Sequence, residues 1–378
     1  MALRLVYLIS TDSFFLSHFV TRAEEALRQG YEVTVLAKKT TSQSVEKIEK
    51  LGIKFIDTGI ERASIGLFTE FKSLVRLVRT YKKIRPNIAH HYGTKSIFYG
   101  TISSLLLKTK PKIVNNLIGL GVVFASENLK AKLLKKIILL GYRYLLNPKG
   151  SVVVCENRDD LKFFIDNGSL KKDRAYFIPG AGVNTELFHP GTAEDKEDKI
   201  TIAMCSRLLK SKGVYTFVEA AKIIRKDGYD VNVWLVGKPD TGNPDSITEK
   251  EIENWSTRGV ISYLGYSENV ELILRKADIC CLPSYYREGL PRSLIEGASC
   301  GLPIVTTDVI GCREAVVMQN GILIKPKDPF SLAQALEKII KNQNLRLEMG
   351  ERSRLLALRD FDEKIINKKI MNLYSCLA

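Results

Sequence analysis

The 378-residue chain lacks the marks of several protein classes. Its seven Cys are odd in number, form no CxxC and lie mostly in apolar runs. That pattern argues against a disulfide framework or a zinc ribbon and for buried thiols in a reducing cytosol. The four His show no HExxH or other metal-ligand spacing. Long apolar runs are missing too. The longest uncharged stretch, residues 113–126, contains Asn115, Asn116 and Ser126. It falls short of the ~18–20 apolar residues a spanning helix needs. The opening MALRLVYLIS has no charged leader region, long apolar stretch or cleavage site, so it is expected to be a first buried strand, not a signal peptide.

What is present is an ordinary globular composition, 45% hydrophobic and 26% charged, at a length that suggests two domains. The net charge of +15 is concentrated: residues 51–150 hold 18 Lys and Arg against 4 Asp and Glu. Two segments dominate, Phe68 to Pro86 and Glu127 to Gly150, both interleaving cations with apolar residues at helical spacing. Basic amphipathic helices suit an anionic lipid surface, and equally an ordinary solvated face. No RNP, KH, zinc-finger or helix-turn-helix signature accompanies the charge, so nucleic acid is not expected as a partner.

Along the chain, short β-branched runs alternate with helix-length segments. Strands are expected at Leu3–Ile9, Tyr31–Ala37, Ile53–Asp57, Ile88–His91, Lys112–Asn116 and Ser151–Cys155. A polar stretch, GTAEDKEDK, follows Pro190 and reads as a linker. The alternation then resumes at Ile200–Cys205, Val231–Val236, Val260–Leu264, Ile279–Leu282, Ile304–Thr307 and Gly321–Ile324, and the chain closes on a helix from Asp362 to Leu377. The expected fold is α/β: two Rossmann-like, doubly wound domains facing across a cleft. Residues 1–192 form the first and residues 197–358 form the second.

Two constellations carry chemistry. In PSYYREGLPRSLIEG, Glu288 and Glu296 flank Pro291, which is expected in the first turn of a helix with Glu288, Gly289 and Leu290 in the loop before it. Eight residues of helix span up to ~12 Å. Paired glycosidase carboxylates stand ~5–9.5 Å apart, so these two are expected to hold different parts of one extended ligand. The helix N-terminus between them suits a phosphate. In SRLLKSKG, Arg207 and Lys212 follow a strand and precede a helix. A planar guanidinium and a point-charge ammonium there suit a diphosphate. The bland alternatives are a loop charge at Glu288, a helix-surface charge at Glu296 and a basic loop at Arg207 and Lys212.

With GVNTELFHP at Gly182–Pro190, LVGKP at Leu235–Pro239 and YLGY at Tyr263–Tyr266, these motifs in this order resemble glycosyltransferase family 4, the retaining enzymes of GT-B fold. FFLSHF (Phe14–Phe19), GLGVVF (Gly119–Phe124) and VIGCREAV (Val309–Val316) are similar to the bacterial branch that extends undecaprenyl-diphosphate-linked sugars, most of all the kind that adds N-acetylgalactosamine to diacetylbacillosaminyl-diphospho-undecaprenol. The resemblance implies that Arg207 and Lys212 hold the donor diphosphate, Glu288 contacts sugar hydroxyls, Gly289 and Leu290 present N–H groups, and Glu296 binds the ribose. Gly237, Tyr263 and Tyr266 would lie near the base and ribose, with Pro291 opening the intervening helix, and the last helix, residues 361–378, resembles the family's pattern of crossing back onto the first domain. On the acceptor side, His18 is expected in the loop after the first strand and Lys95 just after a strand end in HHYGTKS, with Asn116 and Gly119 as the further candidates. Many relatives carry a His in the loop that here reads Asn115 to Gly121, and glycines where the first loop here reads Ser10-Thr11-Asp12-Ser13.

The implied activity is metal-independent, retaining transfer of a hexose or N-acetylhexosamine from a UDP-sugar to a polyprenyl-diphosphate-linked saccharide. It belongs to surface polysaccharide, O-antigen or glycan assembly, on the inner face of the cytoplasmic membrane, with no cofactor. Fixed cations aimed at the leaving diphosphate supply what a metal would. The D-x-D triplet Asp360-Phe361-Asp362 is expected to cap the last helix. Alternatives are a transferase acting on lipopolysaccharide core or a soluble acceptor, and a non-catalytic nucleotide-sugar or nucleic-acid binding module.

Overall fold

The computed structural model of the chain describes residues 2–60, 66–119, 124, 129–240 and 242–377, with the backbone alone at 67, 68 and 129–131. The chain divides into two units, Met1–Ala181 with Lys364–Ala378, and Gly182–Glu363.

The first unit is built on seven parallel strands: β1 (Arg4–Thr11), β2 (Glu32–Lys38), β3 (Lys54–Asp57), β4 (Ile88–Tyr92), β5 (Lys112–Leu117), β6 (Ser151–Cys155) and β7 (Ala175–Phe177). Their spatial order is β3-β2-β1-β4-β5-β6-β7. Runs such as SVVVC in β6 are buried along their whole length, as sheets covered on both faces require. The order reverses between β1 and β4, and ligands of open α/β sheets bind at such a switch point, beyond the carboxyl ends of the strands.

The second unit has six parallel strands: β8 (Thr201–Cys205), β9 (Asn232–Val236), β10 (Ser262–Gly265), β11 (Ile279–Leu282), β12 (Ile304–Thr307) and β13 (Gly321–Ile324). Their order is β10-β9-β8-β11-β12-β13, so the switch point lies between β8 and β11.

The division into units falls ahead of the polar stretch after Pro190, not within it. Val183 and Phe188 are buried in the second core. Val183 N–H donates to Phe361 O at 2.8 Å, Glu363 N–H returns to Val183 O at 2.9 Å, and Arg354 Nη1 donates to the carbonyls of Thr185 and Phe188. The polar stretch itself lies over the second unit, where Lys196 pairs with Asp278 at 3.5 Å. The last helix, Glu363–Leu377, buries Ile366, Ile370, Met371 and Tyr374 in the first unit's core.

Two local readings change. β1 continues to Thr11 and the helix Asp12–His18 begins at once, so no open loop occupies Ser10 to Ser13. Thr11 Oγ1 accepts from Phe14 N–H at 3.2 Å and caps that helix. β7 was not expected; three residues after a basic turn carry too little alternation to announce a strand.

Candidate functional site

The carboxyl end of β8 leads through Arg207 to a tight turn, Lys210–Lys212, and then to the helix Val214–Lys226. Gly213 joins turn to helix at φ +82°, and a Cβ there would stand 2.0 Å from the Pro283 carbonyl oxygen. Only glycine allows the loops after β8 and β11 to meet this closely. Tyr285 N–H donates to Ser211 O at 3.0 Å, and Ser284 Oγ lies 3.0 Å from Glu288 Oε1 and 3.2 Å from Ser211 O.

That junction brings Lys212 Nζ to 2.5 Å from Glu288 Oε1, with the side chains only 15% and 12% exposed. The Glu288 peptide is held from below. Glu288 N–H donates to Ile310 O at 3.2 Å. Gly311, at φ +87°, lies so close that a Cβ would stand 2.4 Å from Gly289 O and 2.6 Å from Glu288 O. The Thr306 hydroxyl donates to Leu282 O at 2.6 Å, and Thr307 does the same to Ser284 O.

Pro291 sits just before the helix Arg292–Ser299 as its N-cap, not inside its first turn. Its ring has no N–H to leave unsatisfied there. Leu290 is buried in the second core. Glu296, in the helix's second turn, pairs with Arg292 Nε at 2.8 Å. Burial pushes the Glu296 carboxyl above its ordinary 4.5; Arg292 opposes the rise and Glu271 adds to it.

Arg207 Nη1 meets Asp240 Oδ2 at 2.9 Å, half exposed. Leu208 N–H donates to Lys238 O at 3.1 Å, Gly237 N–H to Gly265 O at 2.8 Å, and Tyr263 OH to Gly237 O at 2.9 Å. The exposed Tyr266 ring lies under Lys238 Nζ at 4.7 Å. Gly237 and Tyr266 thus follow the ends of β9 and β10, with Tyr263 reaching Gly237 from within β10, and Lys212 and Glu288 gather beyond β8 and β11 at the switch point.

An ammonium has three donors, so Lys212 can keep Glu288 and still grip an anion. The exposed Arg207–Asp240 pair is of the weak kind, worth ~0–1 kcal/mol, and gives up easily to a stronger acceptor. The helix Arg292–Ser299 turns its positive end toward the same loop. The arrangement can bind an anionic group and stabilise charge growing on it.

In the first unit, His18 does not lie in a loop after β1 but ends the helix Asp12–His18, which Thr11 caps directly at the strand end; its ring stands 4.2 Å from Phe14, and Ser17 Oγ lies 2.7 Å from its Nδ1. Lys95 opens the helix Thr94–Leu105 and pairs with Glu70 at 3.0 Å. Asn116 is buried in β5, its Nδ2 donating to Glu156 Oε1 at 3.0 Å and its carbonyl accepting from Gly93 N–H at 3.0 Å. Gly119 follows at φ +87°; the rest of its loop, residues 120–123, lies outside the described residues. Of the D-x-D triplet, Asp360 pairs with Arg359, and Asp362, which directly precedes the last helix, accepts from the Thr185 hydroxyl.

Several buried charged groups were not found from sequence. Asp12 accepts from Thr40 N–H at 2.9 Å and ties the loop after β2 to β1. Arg22, wholly buried, donates to Asn367 Oδ1 and Tyr92 OH, each at 3.1 Å, and His90 Nδ1 stands 2.5 Å from Tyr374 OH. This network fastens the last helix. Glu156 and Gly311 are the other omissions; the VIGCREAV motif held the signal for Gly311.

Solved structures share this fold. Sucrose-phosphate synthase from Thermosynechococcus elongatus superposes with a TM-score of 0.80 at 19% identity, covering 100% of this chain and 99% of that one. Anabaena HepE in complex with UDP gives 0.77 at 18%, covering all of both. The architecture is therefore GT-B. Residues 188–356 match the family model for glycosyl transferases group 1, and residues 4–156 match glycosyl transferase 4-like. The chain belongs to this family of glycosyltransferases. It is 27% identical to the Campylobacter jejuni N,N'-diacetylbacillosaminyl-diphospho-undecaprenol alpha-1,3-N-acetylgalactosaminyltransferase over 342 residues, 87% of each chain. It is also 27% identical to the Escherichia coli UDP-Gal:alpha-D-GlcNAc-diphosphoundecaprenol alpha-1,3-galactosyltransferase, over 82% of this chain and 81% of that one.

Proposed function

We propose that this glycosyltransferase moves a hexose or N-acetylhexosamine from a UDP-sugar to a polyprenyl-diphosphate-linked saccharide, with retention at the anomeric carbon and without a metal. The observation that carries this reading is the Lys212–Glu288 pair at the switch point of the second sheet. The names of the Campylobacter and E. coli relatives, both of which act on undecaprenyl-diphosphate-linked sugars, supply the acceptor class.

In this reading the donor's diphosphate lies against Lys212 and Arg207. Glu288 accepts hydrogen bonds from hydroxyls of the sugar, and Gly289 and Leu290 offer N–H groups. Glu296 accepts from the ribose, and Gly237, Tyr263 and Tyr266 border the base. The bond from the anomeric carbon to the phosphate oxygen breaks with its electron pair going to the diphosphate. The acceptor hydroxyl oxygen bonds the same carbon on the same face, and its proton passes to the departing phosphate. Negative charge grows against the Lys212 ammonium, which Glu288 holds in place, and against the Arg207 guanidinium once it leaves Asp240, and these cations lower the barrier. His18, Lys95, Asn116 and Gly119 serve the acceptor from the first unit.

The acceptor is lipid-linked, so the enzyme works at a membrane. Among the described residues no helix is long and apolar enough to cross one. Attachment is peripheral, on the inner face of the cytoplasmic membrane, through the basic helices of the first unit. The test is incubation with UDP-, GDP- and dTDP-sugars and a synthetic polyprenyl-diphosphate glycan. UDP release with a matching mass shift of the glycan is expected, and release of another nucleotide would contradict the donor assignment.

A further inference from the structure

We propose that two neighbouring helices of the first unit divide membrane attachment: Leu129–Leu145 inserts an apolar stripe among lipid chains, and Leu67–Ile84 holds the phosphate headgroups. The inference rests on the membrane-bound acceptor proposed above and says which side chains meet the bilayer, and how.

The helix Leu129–Leu145 is apolar on two faces. Inward, Tyr142 is buried, its ring 5.3 Å from Phe98 and 5.4 Å from Phe164, with Ile138 and Leu139 beside it. Outward, Leu133, Ile137, Leu140 and Tyr144 are 63%, 57%, 58% and 70% exposed. They fall at i, i+4, i+7 and i+11, one continuous stripe. A helix on a water-facing surface carries polar residues there. Exposed Lys132, Lys136 and Arg143 flank the stripe, and the segment has no acidic residue. Long basic side chains beside an apolar stripe can reach headgroups while the stripe sinks below them, and tyrosine suits that boundary.

The helix Leu67–Ile84 has the complementary face. Leu77 and Tyr81 are buried, and Lys72, Arg76, Arg79 and Lys83 stand exposed at the same i, i+4, i+7, i+11 spacing, bordering a shallow groove with Phe71. Its one acid, Glu70, is held by Lys95. Both helices pack against Thr94–Leu105, so the cationic and apolar stripes lie on the same side of the first sheet. A bilayer with anionic headgroups satisfies both at once.

The test is sedimentation of the whole protein with vesicles of phosphatidylglycerol and phosphatidylethanolamine, or of phosphatidylcholine alone, at low salt and at about 1 M, where screening acts beyond ~3 Å. Two triple variants are compared with wild type. One is Leu133→Ser with Ile137→Ser and Leu140→Ser. The other is Lys72→Gln with Arg79→Gln and Lys83→Gln, which leaves Arg76 on the Asp57 carbonyl. Wild type is expected to keep part of its binding at high salt. The apolar variant loses that part, roughly tenfold or more, and keeps low-salt binding. The cationic variant loses the preference for phosphatidylglycerol and roughly tenfold or more of low-salt binding. UDP release with a short-chain, water-soluble acceptor stays unchanged in both, which shows that they fold.

An apolar variant that binds like wild type in high salt overturns the inference. So does one that merely turns a dimer into a monomer in the centrifuge, since the stripe would then cover a second copy. Vesicle binding without transfer to a polyprenyl-diphosphate glycan would instead contradict the proposed reaction, and transfer without vesicle binding would contradict the attachment alone.

Discussion

Lys212 and Glu288 are 76 residues apart and meet at 2.5 Å, joined because the loops after β8 and β11 converge where the sheet order reverses. The pair predicts that its members fail differently. Lys212→Ala should lower turnover by about 10²–10³ and weaken UDP binding, since in the proposed reading the ammonium faces the leaving group. Glu288→Ala should lower turnover as much and leave UDP affinity near wild type, since in the proposed reading the carboxylate serves the sugar. Calorimetric titration with UDP beside initial rates separates the two. Equal loss of UDP affinity in both variants would contradict the division.

Gly311 should be as intolerant of change as a residue that touches substrate. Gly311→Ala adds a Cβ against two carbonyls of the Glu288 loop at a positive φ. Gly30 has a similar φ of +84°, with nothing near its missing Cβ. Gly30→Ala should cost about 1 kcal/mol from backbone strain alone. Gly311→Ala should cost about 2–3 kcal/mol and drop kcat at least tenfold, because the loop must move. Denaturant titration and rates of both variants check this; equal stability losses with unchanged kcat in Gly311→Ala would refute it.

Glu296 makes a pH signature. Its folded carboxyl titrates above the ordinary 4.5, because burial penalises the charge more than Arg292 restores it. The unfolded chain therefore releases this proton first. The stability from this group is present below 4.5 and is lost as pH rises through the folded value. Glu296→Gln removes the loss, so its stability relative to wild type should climb with pH. Its UDP affinity should fall about tenfold with the charged acceptor gone. Urea titrations across the acid range read the first effect; a difference independent of pH would contradict it.

His91 gives the opposite slope. It is buried in β4, its Nδ1 2.8 Å from Asn115 Oδ1 and its Nε2 3.2 Å from Tyr81 OH. Burial pushes it down to about 4 from 6.5, and His90 is lowered as well. Neutral His91 thus contributes stability that is full above 6.5 and lost as pH falls through 4, about 3 kcal/mol in all. His91→Asn should flatten that acid limb in urea titrations followed by circular dichroism. An acid limb as steep as wild type's would contradict the assignment.

Strand cores were legible because parallel strands buried on both faces read as unbroken β-branched runs; Ser151–Cys155, Ile279–Leu282, Ile304–Thr307 and Gly321–Ile324 fall where the sequence puts them. Arg207, Lys212, Glu288 and Glu296 were legible because charges placed just after a strand or just inside a helix stand out. The supports were not. Gly311 serves the site through its backbone, and a glycine does not announce which carbonyl it approaches. The Arg22–Asn367 and His90–Tyr374 contacts join residues more than 280 positions apart, beyond any local pattern. The helix that ends at His18 was illegible for a reason of scale: the Thr11 cap, which begins it directly after β1 where the sequence reads as a loop, rests on one hydroxyl.

The central claim is that fixed protein cations, with no metal ion, stabilise the departing nucleotide diphosphate. The most direct measurement is UDP release with the polyprenyl-diphosphate glycan, before and after exhaustive chelation, in wild type and Lys212→Ala. The account predicts an unchanged wild-type rate after chelation and a rate about 10²–10³ lower in the variant, with no recovery on adding Mg²⁺ or Mn²⁺. A wild-type rate that collapses on chelation and returns with the metal, or a Lys212→Ala rate near normal, would contradict it.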